Sequence, residues 1–333
     1  MSPRCLVIHP GALGDVLLAV PALAHLSRLG FGTTLAVEAR LAALFTASGL
    51  VDEVRDLESL ALHRLFVEPA DSNALGAGGA YDAVVSWFGA GDATFRASLA
   101  AAARTVVVAR AAPPPGAGRH VARHLLETLA ALGPLPADWP DARFGVAASD
   151  QGAVAAWLGD RGIEPAAVVV LQPGAGSASK IWSGFAELAR RLRGAGTPVV
   201  ALAGPADQVA VEALVSDGAM DEEHLARDWP LPWIAALLSL ARAAVGNDSG
   251  PTHLAAVVGC PTVALFGPSD PAMWAPIGLH VRVVAGPRGG ATWTGVDVER
   301  VETALRELPT RRAVVRRAGS SLVPVAAAGH AWR

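Results

Sequence analysis

Short apolar runs rich in β-branched residues alternate along the chain with stretches whose apolar positions recur at helical spacing. The first run, residues 4–9, leads into a predicted helix at 16–28, and a strand predicted at 33–37 leads into a helix at 39–48. The same alternation returns between residues 167 and 284. Strand–helix–strand repeats are typical of βαβ units, so the pattern predicts an α/β protein with mostly parallel sheets.

The alternation is interrupted at residues 133–150, where prolines and aspartates replace the periodic pattern. We interpret this segment as an interdomain linker, because a chain of 333 residues exceeds the usual size of one domain. The predicted domains are residues 1–145 and 146–310. Residues 311–333 lack clear periodicity and are predicted to form a poorly ordered tail.

Three segments differ from the regular pattern. Residues 217–227 are acidic and predicted to be exposed, and the glycine-rich residues 68–80 are predicted to form a loop. A helix predicted at 120–132 carries His120 and His124 one turn apart, which is a conceivable metal-binding pair. Since no third ligand is apparent, we favour an ordinary helix face and expect no metal site.

The composition excludes two classes of protein. Apolar residues make up 52% of the chain and charged residues 17%, which excludes general disorder, and a net charge of -3 provides no basic surface for nucleic acid. No run reaches the roughly 18 uncharged apolar residues of a membrane helix. Because His9 and Asp15 interrupt the first apolar run, no export signal is expected. We expect a cytoplasmic protein, and a peripheral membrane contact stays open.

The two cysteines, Cys5 and Cys260, are far apart and have neither metal-ligand nor redox spacing. We expect buried thiols in a reducing compartment, with a disulfide as the alternative.

The most informative stretch is residues 245–271, where an apolar lead-in, a short polar turn and a second apolar run follow one another. The pattern predicts a strand, a tight turn and a helix. Ser249 or Gly250 would be the N-cap, and Pro251 would be the first helical residue.

The predicted start of this helix suits an anion. The backbone N–H groups of Thr252 and His253 would be free at a helix end that carries partial positive charge, and such ends bind phosphate. The alternative is that Asp248 and Ser249 only cap a helix in an ordinary α/β protein.

One residue count changes the interpretation of the second half of the chain. Lys180 is the only lysine among the 27 basic residues, and it ends a loop, residues 173–180, that also contains Gly174, Ser177 and Ser179. Glycine lets the backbone approach a ligand, serine hydroxyls donate to phosphate oxygens, and lysine supplies a compact charge. The loop is neither a Walker A motif nor a dinucleotide fingerprint, so it predicts a generic anion-binding loop. The alternative is a lone lysine on a solvated surface.

Asp15 follows the first predicted strand, at the start of the helix predicted at 16–28. It would be unremarkable as a helix cap. A carboxylate at the carboxyl end of a parallel strand, however, also lies where ligands of open α/β sheets bind. Both interpretations remain open from the residues alone.

Four motifs together resemble a known family. They are Gly14-Asp15-Val16-Leu17 with Pro21, the loop from Pro173-Gly174 to Lys180 and Trp182, Asn247-Asp248-Ser249-Gly250-Pro251-Thr252-His253, and Phe266-Gly267-Pro268-Ser269-Asp270-Pro271. In this order and spacing, from about residue 6 to 284, the chain resembles glycosyltransferase family 9, the ADP-heptose:lipopolysaccharide heptosyltransferases.

The resemblance implies a GT-B architecture, in which two Rossmann-like domains with parallel sheets face a central cleft. It implies that the N-terminal domain takes a glycan or lipopolysaccharide acceptor and the C-terminal domain a nucleotide sugar, with ADP-heptose as co-substrate and no cofactor. Family members are inverting and metal-independent; the family's proposed general base corresponds to Asp15, and Lys180 corresponds to the lysine that contacts the donor diphosphate. The expected donor-side residues are Gly174, Ser177, Ser179, Lys180, Asp248, Ser249, Gly250, Thr252 and His253.

The acceptor side departs from the family pattern. A threonine common near the first helix is replaced by Ala19 and Val20, and the usual acceptor-contacting pattern after the strand at 82–87 is replaced by residues 87–92 with Arg96 further on. Gly14, Asp92 and Arg96 are the acceptor-side candidates. Alternatives are a transferase with another nucleotide sugar or a non-lipopolysaccharide acceptor, a sugar-nucleotide epimerase of the same fold, and a non-catalytic binder.

Overall fold

The structure is a computed structural model that describes residues 2–67, 75, 81–140, 142–205, 207–286, 293 and 295–309. The tail predicted at 311–333 and the loop predicted at 68–80, apart from Leu75, lie outside the described residues. The chain divides into two compact units, of which the first ends at Gly145 and the second begins at Val146.

The first unit is built on a five-stranded parallel sheet in the order β3-β2-β1-β4-β5. This order is that of a doubly wound Rossmann sheet, and its direction of winding reverses between β1 and β4. The strands are β1 (Arg4–Ile8), β2 (Gly32–Val37), β3 (Glu53–Asp56), β4 (Tyr81–Ser86) and β5 (Ala103–Val108).

The helices of the first unit are α1 (Leu13–Leu18), α2 (Val20–Arg28), α3 (Ala39–Ser48), α4 (Ala93–Ala102) and α5 (Val121–Glu127). Short 3-10 turns cover Leu57–Leu60, Leu62–Phe66 and Thr128–Ala131. The prediction of one helix at 16–28 was therefore wrong. Pro21 has no N–H to continue the helix, so a new helix starts there with the proline in its favoured first turn.

The helix predicted at 120–132 is also shorter than expected. His120 is its N-cap, with Nδ1 accepting a hydrogen bond from the Ala122 N–H at 3.2 Å, and the helix tightens into a 3-10 turn after Glu127.

The second unit repeats the same winding with one more strand. Its parallel sheet has the order β11-β10-β9-β6-β7-β8, and its winding reverses between β6 and β9. The strands are β6 (Val169–Gln172), β7 (Val199–Ala203), β8 (Leu225–Arg227), β9 (Ala243–Asn247), β10 (Thr262–Phe266) and β11 (Val281–Ala285).

The helices of the second unit are α6 (Ala148–Gly159), α7 (Phe185–Gly194), α8 (Gln208–Ser216), α9 (Leu231–Leu240), α10 (Gly250–Val257), α11 (Pro271–Trp274) and α12 (Val298–Arg306). Short 3-10 turns cover Pro165–Ala167, Ala178–Lys180 and Glu222–His224.

Strand β8 corrects the expectation that residues 217–227 are simply exposed. Leu225 and Ala226 are buried and pair with β7, and Ala219 and Met220 pack into the same core. A three-residue strand flanked by acidic residues has too few apolar positions to show a period of two, which explains why the pattern did not predict it.

Each sheet buries its own apolar core. In the second unit, Trp182 and Phe185 pack beside the β6 and β7 side chains, and in the first unit Phe95 and Leu99 pack beside β1 and β4. The expected burial of both cysteines is confirmed. Cys5 and Cys260 are free buried thiols, and burial raises the pKa of Cys5 to about 12.

Candidate functional site

The carboxyl ends of β6 and β9 form the switch point of the second sheet. These strands are hydrogen-bonded neighbours, with Gln172 paired to Gly246, yet the chain leaves them toward opposite sides of the sheet. In doubly wound sheets, ligands bind at such a divergence. The loop predicted to bind anions starts at the end of β6, and α10 starts just after β9, so the topology brings the two predicted phosphate-binding segments together.

Asn247 ties these two segments to each other. It is fully buried, and its Nδ2 donates to the carbonyl oxygens of Pro173 at 2.8 Å and Gly174 at 3.2 Å. Its Oδ1 accepts the N–H of Trp182 at 3.1 Å. These hydrogen bonds hold both ends of the loop that carries Lys180. From the sequence, Asn247 was predicted only as part of a motif, without a role of its own.

Gly174 is required by close packing. A Cβ atom at this position would collide with the carboxylate of Asp207, which accepts hydrogen bonds from the Gly204 N–H at 3.1 Å and from Gln172 Nε2 at 3.3 Å. Because the Asp207 carboxylate is held by these hydrogen bonds directly beside Gly174, any larger residue at position 174 would displace the start of the loop.

Lys180 forms an ion pair with Asp248 across the switch point. Its Nζ donates to Asp248 Oδ2 at 2.7 Å, and the side chains are 35% and 8% exposed. His253 Nε2 lies 3.7 Å from the other carboxylate oxygen, Oδ1. The lysine is therefore not a lone charge on a solvated surface, because a nearly buried carboxylate fixes its direction.

The charge state of Asp248 follows from its surroundings. Burial alone would raise its pKa, but the facing His253 imidazole and Lys180 ammonium outweigh burial and lower the pKa from 3.8 to about 2. Because this pKa lies below its ordinary value, the carboxylate stabilises the fold above about pH 4, and the contribution is lost as the pH falls toward 2. An ionised carboxylate repels phosphate, so the geometry makes Asp248 the counter-ion of Lys180 rather than a phosphate ligand.

The start of α10 differs in detail from the prediction. Ser249 is the N-cap, Gly250 is the first helical residue and Pro251 the second. The N–H groups of Thr252 and His253 are not free, because both donate to the carbonyl oxygen of Ser249, at 3.1 and 3.2 Å. Within the described part of the chain, the N–H groups of Ser249 and Gly250 donate to no protein acceptor, so these are the unpaired amides at the start of the helix.

The side chains of Thr252 and His253 point into the protein. The Thr252 hydroxyl donates to the Asn247 carbonyl oxygen at 2.6 Å, and both side chains are buried. By contrast, Ser177 and Ser179 are exposed, with their hydroxyl oxygens 2.9 Å apart. Ser177 and Ser179 are therefore the exposed hydroxyl donors, whereas Ser249 is half-buried and its hydroxyl oxygen lies 3.2 Å from that of Thr252.

Trp293 also contacts the loop, although the sequence analysis did not identify it. Its Nε1 donates to the Ser179 carbonyl oxygen at 3.2 Å, and its ring lies against Gly267. The contact joins residues 114 positions apart in the chain, and no local pattern signals such a contact.

In the first unit, Asp15 lies within α1 rather than before it. Its Oδ2 accepts the N–H of Ala12 at 3.2 Å, which closes the first turn of the helix, and Gly14 precedes it in that turn. The turn joins β1 to α1 at the carboxyl end of β1, beside β4, so Asp15 stands at the switch point of the first sheet.

An open hollow of about 540 Å³ lies at the carboxyl ends of β4 and β5. Asp92 lines it and also caps α4 by accepting the Phe95 N–H at 2.7 Å. Arg96 does not line it, because its Nη2 donates to the Val108 carbonyl oxygen at 3.2 Å. The arginine among the lining residues is Arg110, which was not predicted from the sequence. The lining residues are Trp87, Phe88, Gly89, Ala90, Gly91, Asp92, Ala109, Arg110 and Ala111.

Among the described residues, no group of three or more His, Cys, Asp or Glu side chains is arranged to hold a metal ion. His124 bonds through Nε2 to the Arg110 carbonyl oxygen at 2.9 Å, while His120 caps its helix. No helix among the residues described has the length and apolar character needed to span a bilayer.

Comparisons with known proteins agree with this architecture. The family model "Glycosyltransferase family 9 (heptosyltransferase)" matches residues 83–296. Lipopolysaccharide heptosyltransferase 3 of Escherichia coli is 30% identical over 148 residues, which cover 43% of this chain and 39% of that protein. The aligned part is thus well under half of that relative's length.

Two solved structures share the fold along most of the chain. The glycosyl transferase family 9 from Veillonella parvula has a TM-score of 0.74 at 20% identity and covers 92% of this chain and 97% of its own. The E. coli ADP-heptose lps heptosyltransferase II has a TM-score of 0.69 at 19% identity, with coverage of 95% and 100%. They confirm the predicted α/β class with two Rossmann-like domains, as in GT-B proteins. Because the family model spans more than half of the chain, the protein belongs to glycosyltransferase family 9, the heptosyltransferase family.

Proposed function

We propose that this protein is an inverting, metal-independent glycosyltransferase that moves heptose from ADP-heptose onto a lipopolysaccharide core or a related glycan. The observation that carries the proposal is the Lys180–Asp248 ion pair, held at the switch point beside the start of α10. It provides a fixed positive charge where a doubly wound sheet binds its ligand.

The donor half of the reaction needs stabilisation of negative charge on the departing diphosphate. In the second unit this stabilisation comes from Lys180, from the unpaired amides of Ser249 and Gly250, and from the exposed hydroxyls of Ser177 and Ser179. Donors fixed before reaction stabilise developing charge without reorganisation, so this set takes the role that a metal ion plays in other transferases. Asp248 and Asn247 act through the other groups, by holding the ammonium and the loop.

The acceptor half needs a base. In the proposed step, Asp15 takes the proton of an acceptor hydroxyl. At the same time, the oxygen of that hydroxyl attacks the anomeric carbon of the donor sugar from the face opposite the diphosphate. The carbon–oxygen bond to the diphosphate breaks as the new glycosidic bond forms, and ADP leaves with the bonding electron pair. A single displacement of this kind inverts the anomeric centre. Asp92 and Arg110 in the hollow of the first unit are the groups proposed to hold the acceptor.

The choice of substrates rests on the relatives. The similar E. coli structure is named for ADP-heptose and for lipopolysaccharide, and the matched relative is a lipopolysaccharide heptosyltransferase. We further propose that the protein works in the cytoplasm, where its two thiols stay reduced, and meets its acceptor at the cytoplasmic face of the inner membrane.

Calorimetric titration with ADP, UDP, GDP and ADP-heptose tests the donor assignment. We expect selective binding of ADP and ADP-heptose, and Lys180→Ala should weaken it about 10- to 100-fold, since hydrogen bonds to charged groups contribute about 1.5–3 kcal/mol. Arg190→Ala is the matched control, because Arg190 is an exposed cation of the same unit that pairs with Glu187 on α7.

The possible outcomes separate the alternatives. Preference for UDP or GDP would contradict ADP-heptose as the donor but would agree with a glycosyltransferase. If Lys180→Ala bound ADP as tightly as the wild type, Lys180 would not be a donor-binding residue. Analysis of the products of ADP-heptose distinguishes the classes: transfer to an acceptor supports the proposal, an inverted sugar nucleotide indicates an epimerase, and an unchanged donor indicates a binder.

A further inference from the structure

His9, the residue that follows β1, has no role in the proposed reaction, yet it occupies the switch point of the first sheet. It is fully buried, and the preceding residue, Ile8, pairs with Ser86 at the end of β4. Its ring packs against Trp87 in an edge-on contact, with ring centroids 5.4 Å apart and planes inclined by 67°.

The hydrogen bond of His9 assigns its tautomer. Nδ1 accepts the N–H of Gly11 at 3.1 Å, so this nitrogen carries no proton. Burial lowers the pKa of His9 to about 4, and the ring is therefore neutral near pH 7, with its proton on Nε2.

The imidazole and Asp15 are packed against the same glycine. A Cβ atom on Gly11 would lie 2.7 Å from Asp15 Cβ and 2.7 Å from His9 Cε1. The two side chains also hold successive amides, since His9 accepts the Gly11 N–H and Asp15 accepts the Ala12 N–H. The turn between β1 and α1 is thus fixed by the His9 imidazole at Gly11 and by the Asp15 carboxylate at Ala12, with both side chains packed beside Gly11.

The other ring nitrogen shows that packing alone does not explain the histidine. Nε2 is buried and has no hydrogen-bond partner among the described residues. A buried N–H without a partner destabilises a fold, and a leucine of similar size would fill the space without that penalty. What a leucine could not provide is the acceptor for Gly11.

We propose that His9 is a positioning residue, whose neutral imidazole holds the β1–α1 turn through the Gly11 N–H and so aims the Asp15 carboxylate at the acceptor hydroxyl. This inference rests on the proposed function, in which Asp15 is the base.

Two substitutions at His9 separate positioning from packing. Asparagine can place its Oδ1 near the position of Nδ1 and accept the same N–H, whereas leucine cannot. With ADP-heptose as donor and heptose-free lipopolysaccharide as acceptor, we expect His9→Leu to lower kcat for ADP release at least tenfold while the donor KM stays within twofold. His9→Asn should recover kcat to within about threefold of the wild type. A kcat for His9→Leu equal to that of the wild type, or equal losses in both variants, would overturn the proposal.

Gly11→Ala provides a second route should His9→Leu fail to fold. The added methyl group would press on Asp15 and His9. Because every group proposed to bind the donor belongs to the second unit, kcat should fall while the donor KM is unchanged. A Gly11→Ala protein with wild-type kcat would contradict a turn that aims the base.

Asp15→Asn, assayed in parallel, separates failure of this inference from failure of the proposed function. If Asp15→Asn is inactive and His9→Leu is fully active, only the role of His9 is rejected. If Asp15→Asn transfers heptose at the wild-type rate, or the wild type transfers none, the proposed function is rejected and the role of His9 with it.

Discussion

The ligand-binding edges of the two sheets have the same topology and different chemistry. In both sheets the strand order reverses beside the first strand of the unit, and a loop leaves the end of that strand. The second unit places there an ion pair, two exposed hydroxyls and two unpaired amides, whereas the first places a carboxylate and a neutral, buried imidazole. In the proposed reaction, therefore, the shared topology sets where the ligands bind, and the side chains decide that one edge holds charge while the other moves a proton.

The sharpest test of this division is Asp15→Asn. General bases contribute about a hundredfold to ten-thousandfold in rate, so we expect kcat for transfer to fall about a thousandfold. The affinity for ADP, measured by calorimetry, should be unchanged because every proposed donor ligand lies in the second unit. A large loss of ADP affinity would show that the two edges are not chemically separate.

Acid stability tests the neutral imidazole of the first edge. The pKa of His9 is about 4 in the fold and 6.5 ordinarily, so the unfolded chain binds the proton first as the pH falls. His9 should therefore lower the free energy of unfolding as the pH falls from about 6.5 to 4, by on the order of 3 kcal/mol in total. Urea unfolding at pH 7 and pH 5 should show a steeper loss for wild type than for His9→Leu. Equal losses would mean that the ring is charged or solvated.

Asn247→Ala tests how the second edge is held. The substitution removes three hydrogen bonds between β9 and the Lys180 loop, and we expect a loss of about 2 kcal/mol in stability together with weaker ADP binding. Gln151→Ala is a suitable control, since it removes one amide hydrogen bond, to Ser239, elsewhere in the same unit. If both variants bound ADP like the wild type, the hydrogen bonds of Asn247 would not be needed to hold the Lys180 loop for ADP binding.

The smallest expected effect separates two arginines of the first unit. Arg110 lines the hollow, while Arg96 bonds to a backbone carbonyl. An exposed charge pair contributes up to about 1 kcal/mol, so Arg110→Ala should raise the acceptor KM about fivefold and Arg96→Ala should leave it unchanged. The reverse result would favour Arg96, the residue expected from the sequence.

Local features of the sequence were sufficient to predict most strands and the placement of both ligand loops. The hydrophobic periods of the strands and the turn residues of the loops are set by residues that are close together in the chain. The single lysine in the sequence pointed directly to Lys180. The partner of that lysine could not be found in this way, because Asp248 lies 68 positions further along. For the same reason the inward orientation of Thr252 and the lining position of Arg110 had to come from the structure. The helix break at Pro21, by contrast, could have been predicted, because proline is a known local signal for the end of one helix and the start of another.

Lys180 also has a consequence for experiment. As the only lysine in 333 residues, it is the single ε-amine that an acylating reagent can modify. Amine-directed labelling therefore reports on one defined side chain without any engineered cysteine. Protection of Lys180 from such a reagent, followed by mass spectrometry as ADP is added, would measure ADP binding at this one side chain in the native protein.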